Sequence, residues 1–206
     1  MARFFTSDLH IRHDLVVRER GFFHEHPQSG EFGLDFVVVD HDAYEAQLAD
    51  NWDSRVKKDD IVYVLGDIAM NPKKGAFEWL AKRPGNKVLI SGNHDATHPM
   101  HSSWMQALRN PAWRDTFDVI SSQGSVKIGG QKVLLSHFPY EGEGDREIED
   151  RHVEWRLRDM GIPLLHGHTH STTEIDHGHS LHVGLDSWNL ELVHELSVED
   201  WLRSIA

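Results

Sequence analysis

Short apolar segments recur along the chain and alternate with longer amphipathic ones. The apolar segments are residues 2–7, 60–67, 86–93, 126–137, 162–167 and 180–185. They are rich in Val, Ile and Leu and are followed by small or polar residues, a pattern typical of buried β-strands. Segment 126–137 contains Gly129 and Gly130, so we predict a β-hairpin that turns at these residues.

The segments between the predicted strands have the hydrophobic spacing of helices. These segments are residues 41–56, 73–83, 100–110, 146–161 and 197–205. In the first of them Tyr44, Leu48 and Trp52 lie four residues apart, which predicts one buried face, and Asp40 or Asp42 is suited to cap its start. Strands that alternate with helices predict an α/β fold with much parallel pairing.

The overall composition narrows the class of protein. The chain has 206 residues, enough for a sizeable core, and it contains no repeat or linker, so we predict a single domain over residues 1–206. No apolar run approaches the roughly 18–20 residues of a transmembrane helix, and the N-terminus makes a poor signal peptide. We therefore expect no membrane association. The absence of cysteine excludes thiolate chemistry and fits a cytoplasmic protein.

Charge argues against one large class of partners. The formal net charge is −12 with histidine neutral, whereas binding to duplex nucleic acid depends on Lys and Arg that neutralise phosphates. We therefore expect no binding to duplex nucleic acid. A phosphate substrate remains compatible with an acidic chain if a bound cation supplies positive charge locally.

The predicted strands end in residue types that bind metal ions. The side chains in question are Asp8 and His10; Asp67; Asn93, His94 and Asp95; His137; and His168 and His170. Parallel strands bring their carboxyl ends to one edge of a sheet, where ligands of α/β proteins bind. Imidazole nitrogens and carboxylate oxygens suit divalent ions such as zinc, manganese, iron or nickel. The sequence therefore predicts a metal site at this edge.

The order of these motifs resembles a known family. Over residues 8–170 the chain reads Asp8-Leu9-His10, Gly66-Asp67, Gly92-Asn93-His94-Asp95, His137 and Gly167-His168-Thr169-His170. This series resembles the calcineurin-like metallophosphoesterase superfamily, in particular its small stand-alone bacterial and phage members. The resemblance implies a four-layer α/β/β/α sandwich with a dinuclear metal site at the C-terminal ends of the strands.

The resemblance also implies a role for each residue of the series. One metal would bind Asp8, His10, Asp67 and His170, and the other would bind Asp67, Asn93, His137 and His168, with Asp67 as the bridge. The ions would be two divalent metals from among Mn, Fe, Zn, Ni and Co, with Mn favoured. We expect a hydroxide shared by the two ions to attack phosphorus, and His94 to protonate the leaving alkoxide.

Further residues are candidates for supporting roles. Asp95 is predicted to lie just behind the ligands, and His13 is predicted to approach the substrate or to begin a surface helix. Asn51 is predicted to orient a ligand or a loop. We predict Trp52 and His166 to be core residues. His98 and His101 are predicted either to line the pocket or to lie in an exposed loop, and the exposed loop is the safer prediction.

Departures from other branches of the superfamily narrow the substrate. After Asp67 the chain reads Ile-Ala-Met-Asn-Pro, not the Val-Asp-Arg-Gly of Ser/Thr protein phosphatases, and it lacks the tyrosine of purple acid phosphatases. We therefore predict a phosphodiesterase that acts on small or nucleotide diesters, with 2′,3′- and 3′,5′-cyclic nucleotides as leading candidates. The alternatives are a phosphomonoesterase, a nuclease for short single strands, and a catalytically weak metal-binding interaction protein.

Overall fold

The computed structural model describes residues 1–25, 37–70, 74–142, 150–174 and 178–206. The strands in these ranges are β1 (Arg3–Thr6), β2 (Phe23–Glu25), β3 (Val37–Val39), β4 (Ile61–Val64), β5 (Asn86–Ile90), β6 (Val119–Ser121), β7 (Gln123–Ile128), β8 (Gln131–Ser136), β9 (Leu164–His166), β10 (Ser180–His182) and β11 (Val193–His194). The helices are α1 (Asp14–Glu19), α2 (His41–Asp53), α3 (Lys74–Ala81), α4 (Trp104–Arg109), α5 (Pro111–Thr116) and α6 (Glu195–Ser204), with a short 3-10 helix at Val153–Trp155.

The strands form two main sheets and a small ribbon. The five-stranded sheet has the order β11-β1-β4-β5-β6, and the four-stranded sheet has the order β10-β9-β8-β7. Pairing is parallel except for β11 against β1 and β7 against β8, while β2 and β3 pair with each other antiparallel. The β7–β8 hairpin turns at Gly129 and Gly130, whose φ angles are 55° and 86°, as the sequence predicts.

Two apolar clusters cover the two faces of the five-stranded sheet. Phe4 belongs to a cluster with Trp52 of α2 and Trp113 of α5, on the helical side of the sheet. Its neighbour Phe5 points to the opposite face and joins a cluster with Leu165 of the four-stranded sheet and residues of α6. Because both faces are covered, β1 has apolar side chains at two successive positions, Phe4 and Phe5, instead of an alternating pattern. The predicted fold class, an α/β sandwich of the calcineurin-like kind, is confirmed.

The predicted helix over residues 146–161 is wrong in the part that the structure describes. Residues 146–149 lie outside that part, and residues 150–161 contain only the 3-10 helix. His152 has a left-handed backbone, with φ 59°, and its ring packs 5.6 Å from that of His168. Met160 is 67% exposed, so the segment buries no continuous helical face. Contacts of individual rings with the site override the helical spacing.

Several short elements escape the sequence pattern. Segment 100–110 yields only α4, and Asn110 then caps α5 by accepting the N–H of Ala112, with Pro111 in the first turn. The elements α1, β6 and β11 are too short to show a period. Every helix of the described ranges is too short or too polar to cross a bilayer.

Candidate metal centre

The loops that follow β1 and β4 run side by side and carry the first predicted ligands. The N–H of Asp8 donates to the carbonyl of Gly66 at 3.0 Å, and the N–H of His10 donates to that of Asp67, also at 3.0 Å. Parallel pairing therefore continues beyond the strands and sets Asp8, His10 and Asp67 next to one another.

Much of this site is built on left-handed backbone. Positive φ angles occur at Asp8 (57°), His10 (45°), Asp67 (55°), His168 (71°) and His170 (51°). Residues other than glycine seldom adopt this conformation, and where they do the surrounding structure must hold them. The clustering of strained residues at one sheet edge is typical of a functional site.

Asp8, His10 and His170 form one group that could hold a metal ion. Nε2 of His10 lies 3.1 Å from Nε2 of His170, 4.0 Å from Oδ1 of Asp8 and 3.9 Å from Oδ2 of Asp67. Nε2 of His170 lies 3.9 Å from Oδ1 of Asp8. These are the residues predicted for the first metal.

A second group lies on the other side of Asp67. Oδ2 of Asp67 is 3.5 Å from Nε2 of His137, and these two residues form a possible metal-binding group with Asp8. Oδ1 of Asn93 lies 2.9 Å from Nε2 of His137 and 3.0 Å from Nδ1 of His168. Asp67 therefore stands between the two sets, where a bridging ligand is expected.

The chemistry of these donors fits divalent cations. Nδ1 of His137 donates to the carbonyl of Leu65 at 2.7 Å, because a carbonyl can only accept. Nδ1 of His170 meets the carboxylate of Asp186 at 2.9 Å. Each ring therefore turns the lone pair of Nε2 towards the centre. Oδ1 of Asp8 is buried and makes no hydrogen bond within the described residues, as expected for an atom that binds a metal.

Burial of two carboxylates at one point has an electrostatic consequence. Burial raises the pKa of Asp8. The nearby imidazoles of His170, His137 and His10 lower it by a larger amount, so the net shift of the pKa is downward. Burial and the charge of Asp8 raise the pKa of Asp67 well above its ordinary value. A cation between the two carboxylates would relieve their mutual repulsion.

His94 lies at the rim of the centre. Its Nε2 is 3.9 Å from Oδ2 of Asp67, and its side chain is 36% exposed. Its backbone N–H donates to Oδ1 of Asp67 at 2.9 Å, which leaves Oδ2 facing the centre. Burial, and then the proximity of His137, lower the pKa of His94 to about 4. The side chain faces a cavity of about 550 Å³ that exposes part of the metal centre.

Asp95 lies beneath the ligands and does not line this cavity. Its Oδ2 accepts the N–H of Asp67 at 2.9 Å and that of Gly92 at 2.8 Å, and its Oδ1 accepts the N–H of Ile68 at 3.2 Å. Burial, and then the charge of Asp67, raise the pKa of Asp95 to about 7. Asp95 therefore fastens the loop after β4 to the loop after β5.

The other predicted residues fall in different places. His13 lines the cavity, with its ring 5.1 Å from that of His10. Asn51 lies away from the metal ligands and donates to the carbonyl of Leu190 at 3.0 Å. Trp52 and His166 are fully buried, as the sequence predicts.

The prediction of an exposed loop at His98 and His101 is wrong. His98 is 2% exposed, and its ring packs against Phe138 and Trp155. His101 is partly buried, lies 2.9 Å from the carbonyl of Asn93 and lines the cavity, as the alternative prediction for it states. The polar loop folds inward because these rings pack around the ligand-bearing turn.

Sequence reasoning missed residues behind His170. Asp186 meets its Nδ1, and Arg20 forms an ion pair with Asp186 at 2.8 Å. Asp186 directly follows the predicted strand 180–185, so the rule that located the other ligands at strand ends applies to it as well. The position of Arg20 at the end of α1 gives no comparable signal.

Comparisons with known proteins agree with this geometry. A family model described as the calcineurin-like phosphoesterase superfamily domain matches residues 36–187. This range includes the candidate ligands from Asp67 to His170, and β1 brings Asp8 and His10, which precede it, to the same place.

Phage proteins of similar length are related to the chain over nearly all of it. The Gene 66 protein of Mycobacterium phage L5 is 41% identical over 214 residues, which covers 98% of this chain and 94% of the relative. The Gene 66 protein of Mycobacterium phage D29 is 39% identical over 212 residues, with the same coverage.

A solved structure shares the fold. The protein of unknown function AQ665 from Aquifex aeolicus superposes with a TM-score of 0.63 at 20% identity, over 97% of this chain and 98% of that protein. At this identity the similarity shows the fold alone. The family model, which matches most of the chain, shows that the chain belongs to the calcineurin-like phosphoesterase superfamily.

Proposed function

We propose that the protein is a metal-dependent phosphodiesterase that hydrolyses small or nucleotide diesters. The observation that carries this proposal is the placement of Asp67 and His94. The carboxylate of Asp67 stands between two sets of donors, and Nε2 of His94 lies 3.9 Å from it without belonging to either set. A site that only stored metal would not need a further imidazole at the mouth of the cavity.

The chain's own residues have separable roles in this proposal. Asp8, His10, Asp67 and His170 hold one ion, and Asp67, Asn93, His137 and His168 hold the other. When bound, a pair of divalent ions neutralises charge on the phosphate and activates water for in-line attack. A phosphate anion bound beside His94 would favour its charged form and raise its pKa, so that His94 can donate the proton to the leaving oxygen. General acid catalysis of this kind contributes about 10²- to 10⁴-fold in rate.

The charges around the cavity favour a diester over a monoester. Among the described residues that line it, Arg151 is the only Arg or Lys, and Glu19 contributes a negative charge. Two divalent ions with the carboxylates of Asp8 and Asp67 leave a formal local charge of +2. The attacking hydroxide would lower this charge to +1, which matches the single negative charge of a diester more closely than the charge of up to two on a monoester.

The mouth of the cavity also offers apolar surface. Leu15 and Met70 both line it and are 56% and 44% exposed. Exposed apolar side chains beside a charged centre are suited to an organic group on the phosphate, such as a nucleobase. Cyclic 2′,3′- and 3′,5′-nucleotides combine one negative charge with such a base, so they are the leading candidates.

The test is a substrate panel on the purified protein. Matched pairs of diester and monoester, such as bis(p-nitrophenyl) phosphate and p-nitrophenyl phosphate, are assayed beside cyclic and linear nucleotides. Each substrate is tested with Mn²⁺, Zn²⁺, Ni²⁺ and Co²⁺ in turn. We expect a higher kcat/KM for the diester of each pair. A consistent preference for the monoester would contradict the proposal.

A further inference from the structure

A largely buried ion pair between Arg20 and Asp186 contacts the Nδ1 side of His170. Nε and Nη2 of Arg20 donate to the two carboxylate oxygens of Asp186, each at 2.8 Å. The side chains are 5% and 15% exposed. The proposed hydrolysis assigns no role to this pair, although Oδ2 of Asp186 lies 2.9 Å from Nδ1 of His170.

The remaining donors of Arg20 fix the pair to the loop that carries the first ligands. Nη2 also donates to the carbonyl of Asp8 at 2.9 Å, and Nη1 donates to the hydroxyl of Tyr44 at 2.6 Å. That hydroxyl in turn donates to the carbonyl of Leu9 at 2.6 Å. The guanidinium therefore ties the turn between β1 and α1 to the carboxylate that faces His170.

We propose that Asp186, held by Arg20, is the positioning residue of His170 and makes the metal position of Asp8, His10 and His170 the tighter of the two. The carboxylate of Asp186 accepts the Nδ1 proton and thereby fixes the ring and the tautomer whose Nε2 faces the metal. A carboxylate behind an imidazole also makes it a stronger metal ligand.

For two ligands of the second metal position, His137 and Asn93, the groups that the structure describes are neutral. Nδ1 of His137 donates to the neutral carbonyl of Leu65, and Asn93 offers only a neutral amide oxygen. The carboxylate of Asp8 lies near the ligands of both positions, so it does not distinguish them. The first position includes the imidazole of His170, which the charged Asp186 backs. This charged support predicts that the first position fills before the second.

This inference rests on the proposed function only in requiring two bound metal ions, so metal binding alone can test it. Full-length protein is freed of metal with a chelator and titrated with Mn²⁺ by calorimetry, and with Co²⁺ by visible absorption. We expect two steps in the wild type. In Asp186→Asn the tight step should weaken about 10- to 100-fold, the usual effect of losing such a partner, and the first Co²⁺ spectrum should change.

A matched control removes an ion pair far from the centre. Glu195 pairs with Arg3 at 2.6 Å, and both side chains are partly exposed. Glu195→Gln should lower thermal stability and leave both metal steps and the Co²⁺ spectrum unchanged. This control separates a specific effect on His170 from a general loosening of the fold.

Asp186→Asn leaves the charge of Arg20 buried without its partner, which can unfold a protein. Arg20→Lys is the second variant, because it keeps the charge and loses the two-pronged contact with the carboxylate. We expect it to weaken the same tight step by a smaller factor. The inference would be overturned if a folded variant bound Mn²⁺ with wild-type affinity in both steps. It would also be overturned if the variant lost affinity only in the weaker step. If the wild type hydrolyses no phosphodiester while the tight step still depends on Asp186, the proposed function fails and this inference stands.

Discussion

The carboxylate of Asp95 accepts the backbone N–H of Asp67 at 2.9 Å and so fastens the end of β4 to the turn after β5. A hydrogen bond to a charged group contributes about 1.5–3 kcal/mol. Both carboxylate oxygens of Asp95 accept backbone N–H groups, whereas the side-chain amide in Asp95→Asn has only one oxygen that can accept. The variant must therefore lose at least one of these hydrogen bonds. We expect a lower urea midpoint at pH 8 and weaker Mn²⁺ binding.

The exposed Asp115 on α5 provides the control for this change. Asp115→Asn should leave both the urea midpoint and Mn²⁺ affinity near the wild-type values. If Asp95→Asn also left both unchanged, the role assigned to this carboxylate would be wrong.

His94→Gln should separate chemistry from metal binding. Because His94 stands outside both donor sets, the variant should bind the wild-type amount of metal by elemental analysis. Loss of the proton donor should lower kcat by about 10²- to 10⁴-fold. His24→Gln, at an exposed position of β2, should change neither quantity. A His94→Gln protein with depleted metal would contradict the catalytic assignment.

Asp67→Asn should affect thermal stability in opposite directions with and without metal. Asp67 and Asp8 place their carboxylates within 4.8 Å of each other, and both are buried. In chelator, removing one charge should leave the Tm equal to or above that of the wild type. Saturating Mn²⁺, at about 100 times Kd, should stabilise the wild type by about 2.7 kcal/mol and the variant hardly at all. A full metal-induced shift in the variant would show that Asp67 is not a shared ligand.

The grouping of the candidate ligands at one sheet edge could be predicted because it follows from a pattern in the local sequence. Asp67 and His137 stand just beyond apolar strands, and parallel pairing brings such ends together. The hairpin at Gly129 and Gly130 could likewise be predicted, because two adjacent glycines indicate a turn. These features depend on local spacing and on one general property of α/β sheets.

The contacts that support the candidate ligands could not be predicted, because they join residues that are far apart in the sequence. Arg20 and Asp186 meet across the fold, from the end of a six-residue helix and from a loop far along the chain. His152 and Trp155 have helical spacing, yet their rings pack against separate histidines of the site. Such tertiary contacts decide both the hydrogen-bonding partner of His170 and the failure of the predicted helix.

Gly167 should tolerate no side chain, because it lies against the first ligand. A Cβ at this position would overlap Oγ of Ser7 and Oδ2 of Asp8, so Gly167→Ala should displace the carboxylate and weaken Mn²⁺ binding. At Gly75 in α3, a Cβ would meet no atom of the described residues within 4 Å outside its own helix and chain neighbours, so Gly75→Ala should bind metal normally. Calorimetric titration of both variants checks this pair, and equal affinities would refute the steric argument.

Stability at the start of β1 should depend on pH through Asp60. Its carboxylate accepts the N–H of Ala2 at 2.6 Å and that of Lys57 at 2.9 Å, and these bonds lower its pKa. A lowered pKa means that the contribution is present at neutral pH and is lost as pH falls through the folded-state pKa. Asp60→Asn should therefore have a lower Tm than the wild type at pH 7, and the gap should narrow towards pH 4 and below. The exposed neighbour Asp59 provides the control, because Asp59→Asn should have nearly the Tm of the wild type at any pH. If the difference in Tm between Asp60→Asn and the wild type stayed constant with pH, the carboxylate of Asp60 would not be its cause.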